Sequence, residues 1–171
     1  MIFFTADEHY HHKNIIRFQN RPFDNIIQMN ERLIENNNAI VRQDDTVYHL
    51  GDFCFGGKQQ VNKIVDRLTG NHIFIRGSHD SWLRNDKMII EISIENQDIT
   101  LCHYAMRTWR KSHFGSWQLH GHSHGNLPPE GKQLDVGVDT HDFTPVSWEM
   151  VKQLMKARGE NTHTTSRGNY E

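Results

Sequence analysis

Two short patterns set a metal-binding side chain two residues before a histidine: Asp7-Glu8-His9 and His122-Ser123-His124. Side chains alternate along an extended segment, so residues two apart point the same way and can share one ion. A carboxylate paired with an imidazole suits Mn2+, Fe or Zn2+ better than Ca2+. Gly121 and Gly125 flank the second pair and permit turns that other residues cannot make. His120 falls in the same alternation, so the pattern alone does not say which two of the three histidines bind. Asp52, after Gly51, adds a carboxylate, and one Asp can bridge two cations about 3.5–4 Å apart. Gly77-Ser78-His79-Asp80 and His103 each follow an apolar run. Taken singly, each cluster has a bland reading as a solvated loop or a structural histidine. Together they describe a two-cation hydrolytic centre.

Such a centre needs elements that bring these points together. Ile2–Ala6 reads as a buried strand delivering Asp7 and His9. Segments 12–19 and 25–41 are predicted helices; in the second, Ile26, Ile27, Asn30, Leu33, Ile34, Asn37, Ile40 and Val41 recur near a 3.6-residue period. Asp24 is its expected N-cap, after Pro22. Thr46–Leu50 is a second strand leading to Asp52. Residues 58–69 form a predicted helix closed by Gly70, with Val61, Ile64, Val65 and Leu68 on one face. His72–Arg76 is a third strand, running into Gly77. Strands ending in polar loops and alternating with helices predict an α/β fold, in which ligands gather beyond the carboxyl ends of the strands. Met88–Ile94, Ile99–His103, Trp117–His122 and Gln133–Val138 are four more strands whose short connections predict a more antiparallel sheet. Pro145–Arg158 is the last predicted helix. The domain is expected to span 1–158, with 159–171 a polar, mobile tail.

Composition narrows the class. The chain has 171 residues, enough for one domain with a sizeable core, and its net charge of −2 excludes a global basic field for nucleic acid. No apolar run reaches the ~20 residues of a membrane span, and no signal-peptide pattern opens the chain. Two cysteines, Cys54 and Cys102, follow no disulfide or zinc spacing, so reduced thiols and a cytoplasmic location are expected. The 13 histidines are the unusual count, and their positions give it meaning.

The ordered clusters resemble the calcineurin-like metallophosphoesterases, closest to their small single-domain bacterial and phage members. Ile15-Ile16, Arg21-Pro22-Phe23, Asp45 to Asp52 and Asp135-Val136-Gly137-Val138-Asp139 extend the likeness from Ile2 to about Val151. The resemblance implies a four-layer αββα sandwich with a binuclear site at the strand ends. It implies that Asp7, His9, Asp52 and His124 hold one metal, and Asp52, the residue at 78, His103 and His122 the other. A hydroxide between the metals would attack phosphorus in line, and His79 would protonate the leaving oxygen, oriented by Asp80. Manganese is the expected metal, with iron or zinc as alternatives.

One position departs from that family. Its third motif reads Gly-Asn-His-Asp or Gly-Asn-His-Glu, and Ser78 stands where the Asn belongs. An amide oxygen is a neutral ligand, whereas a shorter serine hydroxyl binds metal poorly unless deprotonated or bridged by water. A weakened second site is expected. An engineered inactivating substitution, a natural variant with water replacing the amide, and a naturally weakened enzyme each explain it; the first is preferred.

The substrate is less legible. Segment 107–117 interleaves Arg107, Arg110 and Lys111 with Trp109, Phe114 and Trp117. Arg pairs with phosphate and Trp stacks on bases, so this stretch suits a nucleotide or nucleic-acid end; two buried tryptophans in a solvated loop is the equal alternative. His12 and Asn14 are further candidates to face phosphate, and Arg76 either contacts substrate or ties down its loop. Too little chain remains for an enclosing cap domain, so an open site is expected, favouring a small phosphodiester over a phosphomonoester. A non-catalytic phospholigand-binding module is the rival from another class. No protein partner is evident.

Overall fold

A computed structural model describes residues 1–84 and 87–161. Its element order is β1 (Ile2–Thr5), α1 (Ile15–Phe18), α2 (Ile26–Ile40), β2 (Thr46–His49), α3 (Lys58–Val65), β3 (Asn71–Phe74), β4 (Ile89–Ile94), β5 (Gln97–Cys102), β6 (Trp117–His120), β7 (Gln133–Asp135), β8 (Val146–Ser147) and α4 (Trp148–Lys156). The strands form two four-stranded sheets, ordered β3-β2-β1-β8 and β4-β5-β6-β7. This is the α/β two-sheet sandwich that the sequence predicts.

Alternation sorts the side chains. Phe4 of β1 points between the sheets with Leu50 and Ile75, meeting Ile99, Leu101, Leu119 and Leu134 of the second sheet. Phe3 turns to the opposite face, against Val41 and Val47. On that outer face Met29, Leu33 and Ile34 of α2 and Val61 and Ile64 of α3 pack with Tyr10, Phe53 and Cys54. Helix α4 follows β8 at one sheet's edge and also contacts β7 at the other's. Its Trp148, Val151 and Met155 close the sandwich along that side.

Three expectations change. The N-cap of α2 is Asn25, not Asp24: the Asn25 side chain accepts hydrogen bonds from the Ile27 and Gln28 amides. Val146–Ser147, expected in the last helix, pairs antiparallel with β1, and Ser147 caps α4. In the second sheet only β4 and β5 are antiparallel; β5, β6 and β7 run parallel. The connections 103–116 and 121–132 are long enough for the crossovers of a dozen or more residues that parallel pairing needs.

The first crossover explains segment 107–117. Gln118 and Gln133 point outward from the second sheet and are buried. The Met106 amide donates to Gln118 Oε1 (2.9 Å), and Gln118 Nε2 donates to the Tyr104 carbonyl (2.8 Å). Trp109 donates its indole N–H to the Ser116 carbonyl, and the Trp117 ring meets Trp148 at 5.5 Å. Part of the basic and aromatic stretch therefore covers the outer face of the sheet, whereas Trp117 packs on the core cluster between the sheets. Asn161, buried, ties into it through Ser112 O (2.7 Å). The rest of the polar tail, from 162, lies outside the described residues. Among the described residues no helix is long and apolar enough to cross a membrane.

Candidate metal centre

The loops after β1 and β2 run side by side: the Asp7 amide donates to Gly51 O and the His9 amide to Asp52 O, both at 3.0 Å. The third loop joins through Asp80, whose buried carboxylate accepts from the amides of Asp52 (2.7 Å), Gly77 (2.9 Å) and Phe53 (3.0 Å) and from the Trp82 indole (3.1 Å). A carboxylate so employed fixes one loop against another. The expectation that Asp80 orients His79 does not match this placement, because its oxygens accept from backbone amides of the neighbouring turns and from the Trp82 indole.

Two donor clusters result. Asp7, His9 and His124 bring ligand atoms within 4.8 Å of one another, and so do Asp52, His103 and His122. Asp52 lies between them: its Oδ2 is 3.7 Å from His9 Nε2 and 3.4 Å from His103 Nε2. The two histidines of His122-x-His124 therefore serve different clusters. Extended alternation, the geometry expected from the sequence, is not how these pairs converge. Asp7, His9, Asp52, His122 and His124 all have positive φ, from 47° to 68°. Left-handed backbone at residues other than glycine costs on the order of 1–3 kcal/mol each and persists where the surroundings impose it. Here the imposing groups are the loop-to-loop hydrogen bonds just described, with the His122 amide held on Asp7 Oδ2 at 2.8 Å.

The buried ends of these donors fit a cation. Asp7 Oδ1 and His9 Nε2 are buried without a hydrogen-bond partner, an arrangement that is costly without compensation. Burial, with the charges of Asp135 and Asp52 nearby, pushes the Asp7 carboxyl well above the usual carboxylate range. Burial likewise lowers His9 to about 2, leaving its ring neutral and able to coordinate. Asp52 behaves differently: burial raises its pKa, but the hydrogen bond and charge of His103 outweigh that and hold it below the ordinary carboxylate range.

Outer contacts aim the rings. His103 Nδ1 bonds the Leu50 carbonyl at 2.9 Å, leaving Nε2 toward Asp52. His124 Nδ1 bonds Asp139 Oδ2 at 2.6 Å. Fixing a ligand histidine through its second nitrogen is a common feature of metal sites. Asp139 in turn receives a fork from Arg21, with Nε and one terminal nitrogen both at 2.7 Å, and the same guanidinium donates to Asp7 O (2.7 Å) and Glu8 O (3.0 Å). Arg21 is therefore an internal tie between the first and last loops. Arg21 and Asp139 lie in separate runs of the sequence, and no local pattern joins them.

Gly121 lets these loops close. A Cβ there would lie 2.5 Å from Ala6 Cβ and 2.7 Å from Asp7 Oδ2. Gly121→Ala should displace the Asp7 carboxylate and cost about 1–3 kcal/mol through overpacking. Calorimetric titration with Mn2+ beside a urea melt checks this; full Mn2+ affinity together with an unchanged melt would contradict the contact.

The remaining candidates separate. Ser78 Oγ donates to Asp52 at 3.0 Å (Oδ2) and 3.2 Å (Oδ1), beside the second cluster. His79 is exposed, with Nε2 4.0 Å from Asp52 Oδ2 and its ring 5.4 Å from that of His9. His12 Nδ1 is 3.3 Å from His9 Nδ1. Asn14 is exposed at the start of α1 and makes no side-chain capping bond there. The Arg76 amide approaches the Lys87 carbonyl at 3.4 Å. Arg107 lines a separate cavity with Trp109, Ser112, Gln133 and Asn161. His120 is buried, with Nδ1 on the Gly121 carbonyl, outside both clusters. Tyr104, unremarked in the sequence, packs edge-on against His103 and His122 at 4.8 and 4.7 Å.

Comparison with known proteins gives a relative 32% identical over 164 residues, the uncharacterized protein MJ1445 of Methanocaldococcus jannaschii, covering 91% of each chain. The gene 66 protein of Mycobacterium phage L5 is 23% identical over 177 residues, covering 80% of this chain and 85% of its own. Among solved structures, the protein of unknown function AQ665 from Aquifex aeolicus aligns with a TM-score of 0.70 at 23% identity, over 90% of this chain and 98% of that one. No family model matches.

Proposed function

We propose that this chain, which belongs to the same family as the uncharacterized protein MJ1445, is a metal-dependent phosphoesterase acting on small phosphodiesters of the nucleotide or nucleic-acid-end class. The observation that carries the reading is the pair of donor clusters linked through Asp52, which belongs to one and approaches His9 of the other, with buried, unpartnered atoms on Asp7 and His9. Asp7, His9, Asp52 and His124 would hold one divalent cation and Asp52, His103 and His122 a second, manganese being the first choice and iron or zinc the alternatives. Bound there, two cations would acidify water and neutralise charge on phosphoryl oxygens.

The chain's own residues supply the rest. His79 stands over the clusters and is open to solvent, so its Nε2 can give a proton to a leaving oxygen. Asp80 keeps the His79 loop registered on the Asp52 loop rather than tuning the imidazole. His12, with Nδ1 3.3 Å from His9 Nδ1, would meet a phosphoryl oxygen. Ser78, His79 and His122 are all exposed, and an open site would accommodate substituents on both sides of phosphorus, which favours a diester. Arg107 lines a separate cavity and is left out of this reading; Arg76, leading into the third loop, stays a candidate for contacting substrate or tying down that loop.

The test compares bis(p-nitrophenyl) phosphate with p-nitrophenyl phosphate on one preparation in excess Mn2+, against the same preparation in EDTA. Faster diester cleavage that EDTA abolishes is expected. Preference for the monoester would make the protein a phosphomonoesterase. Tight nucleotide binding with no turnover of either ester would make it a phospholigand-binding module.

A further inference from the structure

An unbroken run of aromatic rings leads from the first donor cluster to the surface. The His9 ring lies 5.2 Å from that of His12, and His12 stacks on Phe55 at 4.5 Å with only 18° between the planes. Phe18 meets the edge of His12 at 6.3 Å, and His79 is 5.7 Å from both His12 and Phe55. Phe55 is 51% exposed and Phe18 59% exposed. Single exposed aromatics need no explanation. Three contiguous rings beside a candidate ligand, two of them more than half exposed, do.

We infer that Phe55, His12 and Phe18 form a stacking subsite for the planar aromatic group of an ester substrate, a nucleobase being the occupant that fits. The inference rests on the phosphoesterase reading and adds where the base sits. Geometry selects this occupant over a general apolar one. The His12–Phe55 pair is nearly parallel and offers flat ring surface rather than a pocket, and flat surface favours π-stacking that tolerates any base. The platform adjoins His9 and His79, so a group stacked there is within reach of a phosphate placed over the donor clusters. Cationic side chains accompany these rings: the Arg17 guanidinium lies 5.4 Å over the Phe18 ring, and Lys13, next in sequence to His12, is exposed. Segment 107–117, the expected stacking surface, has its tryptophans tied into the second sheet, which leaves this platform to take the base.

Calorimetric titration in Mn2+ with adenosine 5′-monophosphate and with ribose 5-phosphate isolates the base. The protein should bind the nucleotide at least about tenfold tighter. Phe55→Ala should remove most of that advantage and leave ribose 5-phosphate affinity unchanged, at the cost of about tenfold that one stacked ring commonly carries. Phe55→Tyr should restore it and Phe55→Leu should not. Phe18→Ala, further out, should give a smaller loss in the same direction and covers the case in which Phe55→Ala fails to fold. Equal affinity for the two ligands, or full nucleotide affinity in Phe55→Leu, overturns the stacking subsite while leaving phosphoester cleavage intact. Failure to bind either ligand, with no cleavage of either p-nitrophenyl ester, overturns both.

Discussion

Arg21→Met is expected to remove about 3–5 kcal/mol of stability, the usual cost of breaking a buried ion pair by deleting one partner. The Arg21 side chain has no solvent exposure, and its fork on Asp139 is matched by two further bonds to the carbonyls of Asp7 and Glu8. Met approximates the volume but leaves the Asp139 carboxylate and two carbonyls without their donor. Burial alone would raise the pKa of Asp139; the hydrogen bonds from His124 and Arg21 hold it below the usual range. Without Arg21 that carboxylate leans on His124 alone, so Mn2+ affinity should fall as well. Urea denaturation reads the first effect as a lower midpoint with unchanged slope. Arg21→Lys should recover little, because an ammonium cannot reproduce the bidentate fork. A second variant, Arg21→Met with Asp139→Leu, should be more stable than Arg21→Met by removing the stranded charge. A single-variant loss below about 1 kcal/mol, a typical surface ion-pair value, would show that the fork does not hold the loops.

The reason Arg21 escaped assignment as an internal tie shows what one sequence can reveal. Ligand residues at strand ends were legible because apolar runs mark strands and polar clusters mark where they stop. The pairing of Arg21 with Asp139 spans more than a hundred positions, and no local pattern encodes it. Register in the second sheet was hidden for a related reason: segments 103–116 and 121–132 carry no helical period, so they read as short links rather than crossovers. The backbone of the site was misjudged for a physical cause. Alternation presumes extended chain, whereas Asp7, His9, His122 and His124 sit in left-handed backbone that their types do not prefer. Strain at candidate ligands is where local rules are expected to fail. Phe55 gave no signal either, since an exposed phenylalanine in a loop means nothing until its neighbours are known. Asn25 displaced Asp24 as a cap by one position, an ordinary uncertainty at helix ends.

Ser78→Asn is expected to raise Mn2+ affinity and diester turnover by at least about 10–100-fold, the range associated with losing even an outer contact to a metal ligand. The geometry gives Ser78 two disadvantages. Its hydroxyl is too short to replace an amide oxygen, and its Oγ–H points at Asp52, within 3.0 Å of Oδ2, the oxygen that faces both clusters. Each such hydrogen bond competes for lone pairs that a shared cation would use. Asn offers an added carbonyl oxygen and takes that hydroxyl proton away from Asp52. Ser78→Ala separates the two effects, because it frees Asp52 without adding a ligand. Gain in Ala as large as in Asn would assign the handicap to the hydroxyl alone. Gain only in Asn would place residue 78 among the ligands and make the present chain a weakened hydrolase. Loss in Ala would show that the serine already works, holding a water where the amide oxygen would sit. Equal rates and equal Mn2+ affinities in all three proteins would remove residue 78 from the centre, leaving Asp52, His103 and His122 to hold the second cation unaided.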